Sequence, residues 1–295
     1  MMSGMYAAIS GLDAHQTMLD VTANNLANVD TVGYKSQSTV FSDELTQLIQ
    51  AGTGPNGFNA GTNPLQVGLG VHVNSIDNNM AAGGVESTGN ATDVAIQGDG
   101  FLAVANGSPT VSAPGISTPP EYTRAGDLTF NSQGFLCTQT GQYVLGYPAN
   151  ANGSINVNSG NTNYNNAINV PVGSTGVAIG PDGSVSYVDG NPSSSTYQQR
   201  VTAGYISLST FPNEAGLQRD GGSLWSATSA SGAAQVGQPG IGNYGKTISG
   251  ELEQSNVDMG TEFTNMIEAE RGYQANASTI TTADQMMQTA VQMKQ

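Results

Sequence analysis

Apolar residues fall along this chain at two different periods, and the period changes twice. Near the N-terminus, positions 5, 9, 12, 16, 19, 23 and 26 alternate steps of four and three; they hold Met5, Ile9, Leu12, Gln16, Leu19, Ala23 and Leu26, six of the seven apolar. Such spacing draws one apolar line along a helix, the seam by which helices pack lengthwise. Ser3 is the predicted N-cap, and Asp13 and Asp20 lie off the seam. The turn formers of Asn28-Val29-Asp30-Thr31-Val32-Gly33 stop the helix. The C-terminal segment repeats the design with Phe263, Met266, Glu270, Tyr273, Ala277, Ile280, Asp284, Met287 and Val291, seven of nine apolar. Ser255-Asn256-Val257-Asp258 supplies its start signal. A helix over 257–293 runs about 55 Å at 1.5 Å per residue. Gly260 and Gly272 each cost it about 1 kcal/mol relative to alanine, so its stability depends on tertiary or intersubunit packing.

Between about 75 and 250 the pattern shortens to strand-like runs broken every 8–12 residues by turn formers. Val94-Ala95-Ile96 leads to Gly98-Asp99-Gly100, then Phe101-Leu102-Ala103-Val104. Asp127-Leu128-Thr129-Phe130 leads through Asn131-Ser132-Gln133-Gly134 to Phe135-Leu136-Cys137. Val177-Ala178-Ile179 leads through Pro181-Asp182-Gly183 to Ser184-Val185-Ser186-Tyr187-Val188, followed by Asp189-Gly190. Asn-Gly and Asp-Gly pairs between such runs signal hairpins. Tyr205 to Phe211 alternates as a half-buried strand. Residues 149–169 and 226–245 are small, polar and glycine-rich, and are expected as long loops or an exposed hairpin.

The expected fold class is therefore α+β: long N- and C-terminal helices forming a coiled-coil-like domain, with an all-β domain inserted between them. Residues 1–35 and 252–295 make the helical domain, 36–75 a bridging segment, and 76–251 the β domain, with room for a small outer hairpin or loop within 149–200. In the bridge, Phe41, Leu45, Leu48 and Ile49 share a face and predict a short helix over 41–49, with an irregular loop from Gly52 to Asn63.

Composition narrows the chemistry. Of 295 residues, 22 are acidic and 7 basic, for a formal net charge of −15. So few cations cannot build the basic face that nucleic acid or an anionic membrane surface requires. Cys137 is the single cysteine, which excludes an intrachain disulfide and a thiolate zinc site. Neither end carries an apolar run of about 18 residues, so no membrane insertion is expected. Residues 1–34 contain no Lys or Arg, so no cleavable signal peptide is expected either.

Site motifs fail one by one. Gly52-Thr53-Gly54-Pro55-Asn56-Gly57 matches G-x-G-x-x-G but lacks the strand before and the helix after that phosphate binding needs. The Asp-Gly pairs lack calcium-loop spacing. His15 sits in a helical pattern beside a seam position, and His72 alternates outward from Val71 and Val73. Cys137 is expected buried and inert. A sugar-cleaving cleft usually carries several aromatics, and Trp225 is the only tryptophan. No catalytic, cofactor or metal residues are predicted. A β-rich secreted enzyme has no need of the long terminal seams, and an adhesin is expected to carry a secretion signal or anchor that is not seen in the sequence.

Residues 23–35, Ala-Asn-Asn-Leu-Ala-Asn-Val-Asp-Thr-Val-Gly-Tyr-Lys, resemble the signature of bacterial flagellar rod and hook proteins. Gly11-Leu12-Asp13-Ala14 precedes it. Leu65 to Val71, Asp93 to Phe101, Tyr122-Thr123-Arg124-Ala125-Gly126, Leu252 to Asp258, Met266 to Asn276 and Asp284-Gln285-Met286-Met287 continue the resemblance in order. It implies a self-assembling structural subunit, not an enzyme, with no cofactor. Its terminal helices would line an inner tube, and its export would use the flagellum's own type III apparatus without a cleavable signal. Implied partners are identical subunits in a helical polymer, other axial proteins (distal rod, hook cap, hook–filament junction) and the export apparatus; the implied location is the extracellular hook or the basal body. Residues implied for assembly are the apolar seam positions above together with Asn24, Asn25, Leu26, Ala27, Asn28, Gly33, Tyr34 and Lys35 of the signature. Val144-Leu145-Gly146-Tyr147-Pro148, Leu224-Trp225-Ser226-Ala227-Thr228 and Gly242-Asn243-Tyr244-Gly245-Lys246 resemble hook proteins. The chain's length, and a segment 46–64 similar to the extra loop that stiffens distal-rod proteins, favour the distal rod. The expectation is a compact hook protein, with the distal rod protein as the alternative.

Overall fold

The computed structural model describes residues 2–54, 61–107, 119–148, 166–192 and 196–293. The fold is mixed: one long helix at each end and a large β domain. The chain divides into two compact units. Unit 1 comprises Met1–Asn28, Ser36–Asn79 and Val257–Gln295; unit 2 comprises Val29–Lys35 and Met80–Asn256.

Unit 1 contains helix α1 (Met2–Ala27), helix α2 (Met259–Gln292) and strands β1 (Gln37–Asp43), β2 (Thr46–Gln50), β3 (Leu65–Gly68) and β4 (Val71–Asn78). Helix α1 begins at Met2, so the backbone of Ser3 lies inside the helix rather than ahead of it. Asp258, the last residue of the predicted start signal, caps α2 by accepting a hydrogen bond from the Thr261 backbone N–H at 2.8 Å. The helix predicted over 41–49 is absent. Those residues finish β1 and form β2 instead, with β1 paired antiparallel to β4 from Gln37↔Asn78 to Asp43↔Val71. A nine-residue apolar face without a cap is too short to hold a helix alone, and the β-branched Thr39 and Val40 fit the ladder better. The expected irregular loop is tightened as well: Thr53 and Thr62 exchange backbone hydrogen bonds of 2.9 and 3.1 Å at the end of the β2–β3 hairpin. A strand thus precedes Gly52, and the next described element after the glycine motif is the antiparallel strand β3 rather than a helix.

Unit 2 is built on one large antiparallel sheet. Its main path runs Thr175–Ile179, Ser184–Val188, Arg200–Ile206, Tyr143–Pro148, Phe101–Ala105, Glu121–Thr123, Leu224–Ser226 and Gln218–Gly221. The central strand Phe101–Ala105 explains itself from sequence. Leu102 and Val104 enter one core with Val144, Ile206 and Leu208, while Phe101, Ala103 and Ala105 enter a second with Tyr122, Phe211 and Trp225. Covered on both faces, the strand reads as an unbroken apolar run rather than an alternation. The turns at Asn131–Gly134 and Pro181–Gly183 join paired strands as predicted. Gly98-Asp99-Gly100 does not: Val94–Gln97 pairs with Lys246–Ser249 instead. The segment from Tyr205 to Phe211 is not half-buried either. Ser207 and Ser209 are as buried as their apolar neighbours, and the Ser207 hydroxyl is satisfied by donating to the Leu145 carbonyl at 3.0 Å. Within 149–200, residues 166–192 continue the main sheet rather than stand apart from it, while 149–165 lie outside the described residues. The stretch 226–245 includes the short strand Gln235–Gly237, paired with Leu208–Thr210.

Candidate functional site

In α1 the buried line is not the large-residue seam but the line one position behind it. Ala8, Gly11, Thr22 and Asn25 are buried on it, with Ala14 beside them. Among the seam residues, Met5, Leu12, Leu19 and Leu26 are half-buried, while Ile9 and Ala23 are exposed. The small line exists because α1 and α2 approach closely. A Cβ on Gly11 would stand 2.6 Å from the Asn276 amide nitrogen, and one on Gly272 2.5 Å from the His15 ring. In α2 only Glu262, Ala269 and Ala283 are buried. Met266, Ala277, Ile280 and Met287 are half-buried, whereas Phe263, Tyr273 and Val291 are exposed, as is Ile267 at 59%. The hairpin of β2 and β3 adds exposed Leu45, Leu48, Ile49, Leu65 and Val67. Unit 1 thus presents long apolar lines that its own fold does not cover.

The signature divides between the units. Asn25 serves unit 1: its side-chain amide donates to the Gln37 carbonyl at 2.7 Å and to Glu262 Oε1 at 3.0 Å, and its oxygen accepts from the Gln37 N–H at 2.9 Å. It fixes the end of α1 to β1 and to the first turn of α2. The Asn24 carbonyl accepts from both the backbone and the side-chain amide of Asn28, closing the last turn. Leu26 is half-buried and Ala27 exposed.

Gly33, Tyr34 and Lys35 serve unit 2. Gly33 has φ +67°, and a Cβ there would stand 2.6 Å from the Ala125 nitrogen, so glycine is required twice over. Lys35 is fully buried; its Nζ donates to Glu253 Oε1 at 2.6 Å and to the Ala81 carbonyl at 2.8 Å. Burial lowers its pKa against the pull of Glu253. Arg124 approaches Glu253 Oε2 at 3.4 Å and donates to the Gly98 carbonyl at 3.0 Å. The Arg219 guanidinium lies 4.3 Å over the Tyr34 ring and 5.1 Å over Trp225. Burial likewise raises the pKa of the nearby Glu214 carboxyl, against the pull of Arg124.

Glu253, Arg124, Arg219 and Glu262 carried no predicted role. One signal was available: in a chain with seven cations, each one set among apolar and glycine residues has a reason to be there. His72 is exposed and its Nε2 lies 2.9 Å from the Ser42 hydroxyl. His15 lies between α2 and Phe41, its ring 6.0 Å from the phenyl ring. Cys137 is buried, and burial raises its thiol pKa. Among the described residues no cluster could hold a metal ion, and no helix is long and apolar enough to cross a membrane.

Comparison with known proteins follows the same division of the chain. Residues 5–35 match the family described as flagella basal body rod protein. Residues 95–187 match the flagellar hook protein FlgE/F/G D1 domain, and 248–293 the flagellar basal body rod FlgEFG protein C-terminal region. The flagellar basal-body rod protein FlgG of Bacillus subtilis is 37% identical over 295 residues, covering the whole of both chains. The chain belongs to the flagellar rod and hook protein family. It is an axial flagellar structural protein, in a family of structural proteins rather than enzymes. The rod protein FlgG of Caulobacter vibrioides is 33% identical over 296 residues, covering 99% of this chain and 100% of its own. The flagellar hook protein FlgE of Borreliella burgdorferi is 26% identical over 444 aligned positions, a span that 295 residues fill only with long gaps. The expectation of a hook protein gives way here, because rod proteins match at higher identity and over nearly the whole of both chains without so long a gapped span. The three hook-like motifs have a physical explanation within unit 2. Val144 and Leu145 feed its two cores, Trp225 faces Arg219, and Tyr244 packs on Gly237, so these motifs report the shared fold.

Proposed function

We propose that this protein is a subunit of the distal rod of the flagellar basal body, polymerising with copies of itself into a stiff helical tube that transmits torque. The observation that carries this reading is the end-to-end correspondence with rod proteins named FlgG, which in the Bacillus subtilis protein covers the whole of both chains. The hairpin of β2 and β3 supports it. That hairpin falls in the segment similar to the stiffening loop, and its apolar side chains are exposed in the single chain. The terminal helices pair through their small-residue lines in a coiled-coil-like domain. The outward seams, Met5, Ile9, Leu12, Leu19, Ala23 and Leu26 on α1 and Phe263, Met266, Tyr273, Ala277, Ile280, Met287 and Val291 on α2, meet neighbouring copies. Such contacts are heterologous and do not close, which yields an open helical array. Its other partners are the adjoining axial segments and the flagellar type III export apparatus.

The test is complementation in two strains, one lacking its distal-rod gene and one lacking its hook gene. Restoration of complete rods, seen by electron microscopy of isolated basal bodies, is expected in the first strain only. Restoration of hooks in the second strain without rods in the first overturns the rod reading.

A further inference from the structure

Three of the chain's seven cations, Lys35, Arg124 and Arg219, gather at one place in unit 2. Two of them come from its body; Lys35 comes from Val29–Lys35, a seven-residue visitor whose flanking residues on both sides belong to unit 1. The rest of unit 2 is held by strand ladders, but Val29–Lys35 lies in none of the strands. Polar contacts seat it. The Gly33 N–H donates to the Glu253 carbonyl at 2.8 Å, and Arg219 Nη2 donates to the Lys35 carbonyl at 2.8 Å. Lys35 Nζ reaches Glu253, and the Tyr34 ring covers one face of the Arg219 guanidinium.

The socket is arranged so that it tolerates an empty state. When the segment leaves, Lys35 regains water. Glu253 keeps Arg124 on Oε2 and the Gly83 N–H on Oε1 at 2.9 Å. Arg219 keeps Trp225 against its guanidinium. No charge is stranded, so unseating escapes the penalty that attends breaking a buried ion pair by deleting one partner. We infer that Val29–Lys35 is a clasp that seats and unseats as one piece without unfolding the sheet behind it. Glu253 is its keystone, so unit 2 is complete only when the segment after α1 and the last β strand are both in place. This goes beyond the rod assignment and holds whichever axial segment the chain builds.

Hydrogen exchange on the full chain tests it, with emission from Trp225, the only tryptophan, as a second readout. Two variants are used: Glu253→Gln, which removes the keystone charge, and Tyr34→Ala, which leaves every charge in place. In both, the Gly33 amide is expected to exchange about tenfold faster or more, as a lost buried partner implies. The amides of Phe101–Ala105 keep their protection, and Trp225 emission moves to the red. If Phe101–Ala105 accelerates by the same factor as Gly33, the segment opens only with the whole unit and the inference fails. It fails equally if Gly33 is unmoved in both variants. Should Glu253→Gln not fold, Tyr34→Ala decides alone between these outcomes.

Discussion

The two units differ in what they bury. Unit 2 packs Ile96, Phe101, Leu102, Leu136, Leu145, Ile206, Leu208 and Trp225 to 2% exposure or less, and its buried Lys35 and Arg124 both meet the Glu253 carboxylate. The apolar residues buried in unit 1, among the described ones, are four alanines: Ala8, Ala14, Ala269 and Ala283. Beside them lie Gly11, Thr22, Asn25, Ser36 and Glu262. Among the described residues, its leucines, isoleucines and phenylalanines are half-buried or exposed. Unit 2 therefore satisfies its hydrophobic surface alone, whereas unit 1 satisfies only its small-residue line. Large exposed apolar patches mark interaction sites, so the difference separates a closed body from an open surface, which the proposed assembly would cover with further copies.

The largest effect on the single chain is expected in unit 2. Leu208→Ala removes a fully buried side chain from a closed core and should cost about 3 kcal/mol, in the usual range for such cavities. Denaturant unfolding followed by Trp225 fluorescence measures it. A loss below about 1 kcal/mol would mean that the core is looser than its burial indicates, and the contrast with unit 1 would weaken.

Next comes the polar knot around Asn25 in unit 1. Asn25→Ala deletes the bonds to Gln37 and leaves the buried Glu262 carboxylate short of a donor. The expected cost is about 2 kcal/mol, felt in unit 1. Helical circular dichroism should fall while the Trp225 signal of unit 2 stays in place. Equal loss of both signals would show that the units do not respond separately.

How much of this was legible in sequence follows from range. Period and turn chemistry are local, so both long helices, the Asn131–Gly134 and Pro181–Gly183 hairpins and the doubly covered strand Phe101–Ala105 could be read directly. Pairing across the chain could not be read. Nothing near Phe41 announces that Val73 lies opposite it, so residues 41–49 looked helical. Nothing near Lys35 announces Glu253, 218 residues away. The seam was legible as a pattern of large residues. That the neighbouring line of Ala8, Gly11 and Thr22 takes the inner position depends on Gly272 and Asn276 of a helix at the other end of the chain.

A smaller effect concerns the start of α2. The Thr261 N–H holds the Asp258 carboxyl below its ordinary value of 3.8. A carboxylate with a depressed folded pKa stabilises above the unfolded value, and that contribution is lost as pH falls through the folded one. The first turn of α2 should therefore fray below about pH 4. Exchange at the Thr261 amide reports it. Asp258→Asn keeps a capping oxygen without the titration, so it should abolish the pH dependence while preserving protection at neutral pH. Persistent acid sensitivity in that variant would place its cause elsewhere.

The smallest effect on the single chain is the most informative about the comparison. Phe263 and Ile267 are 50% and 59% exposed, so replacing both by Asp should change the stability of the isolated chain by no more than about 0.5 kcal/mol each. In the polymer the same substitutions bring charges into a seam between identical neighbours. Arg271 stands four residues after position 267 and can pair with the carboxylate there, which leaves the one at position 263 unpaired, and burying an unpaired charge is strongly unfavourable. Thermal unfolding unchanged together with rods lost from basal bodies is the expected pair of results. A chain destabilised as much as Leu208→Ala would mean that unit 1 already uses these residues internally. Rods of normal length would mean that the exposed line faces solvent in the assembled structure, and the contrast between a finished unit and an open one would no longer account for assembly.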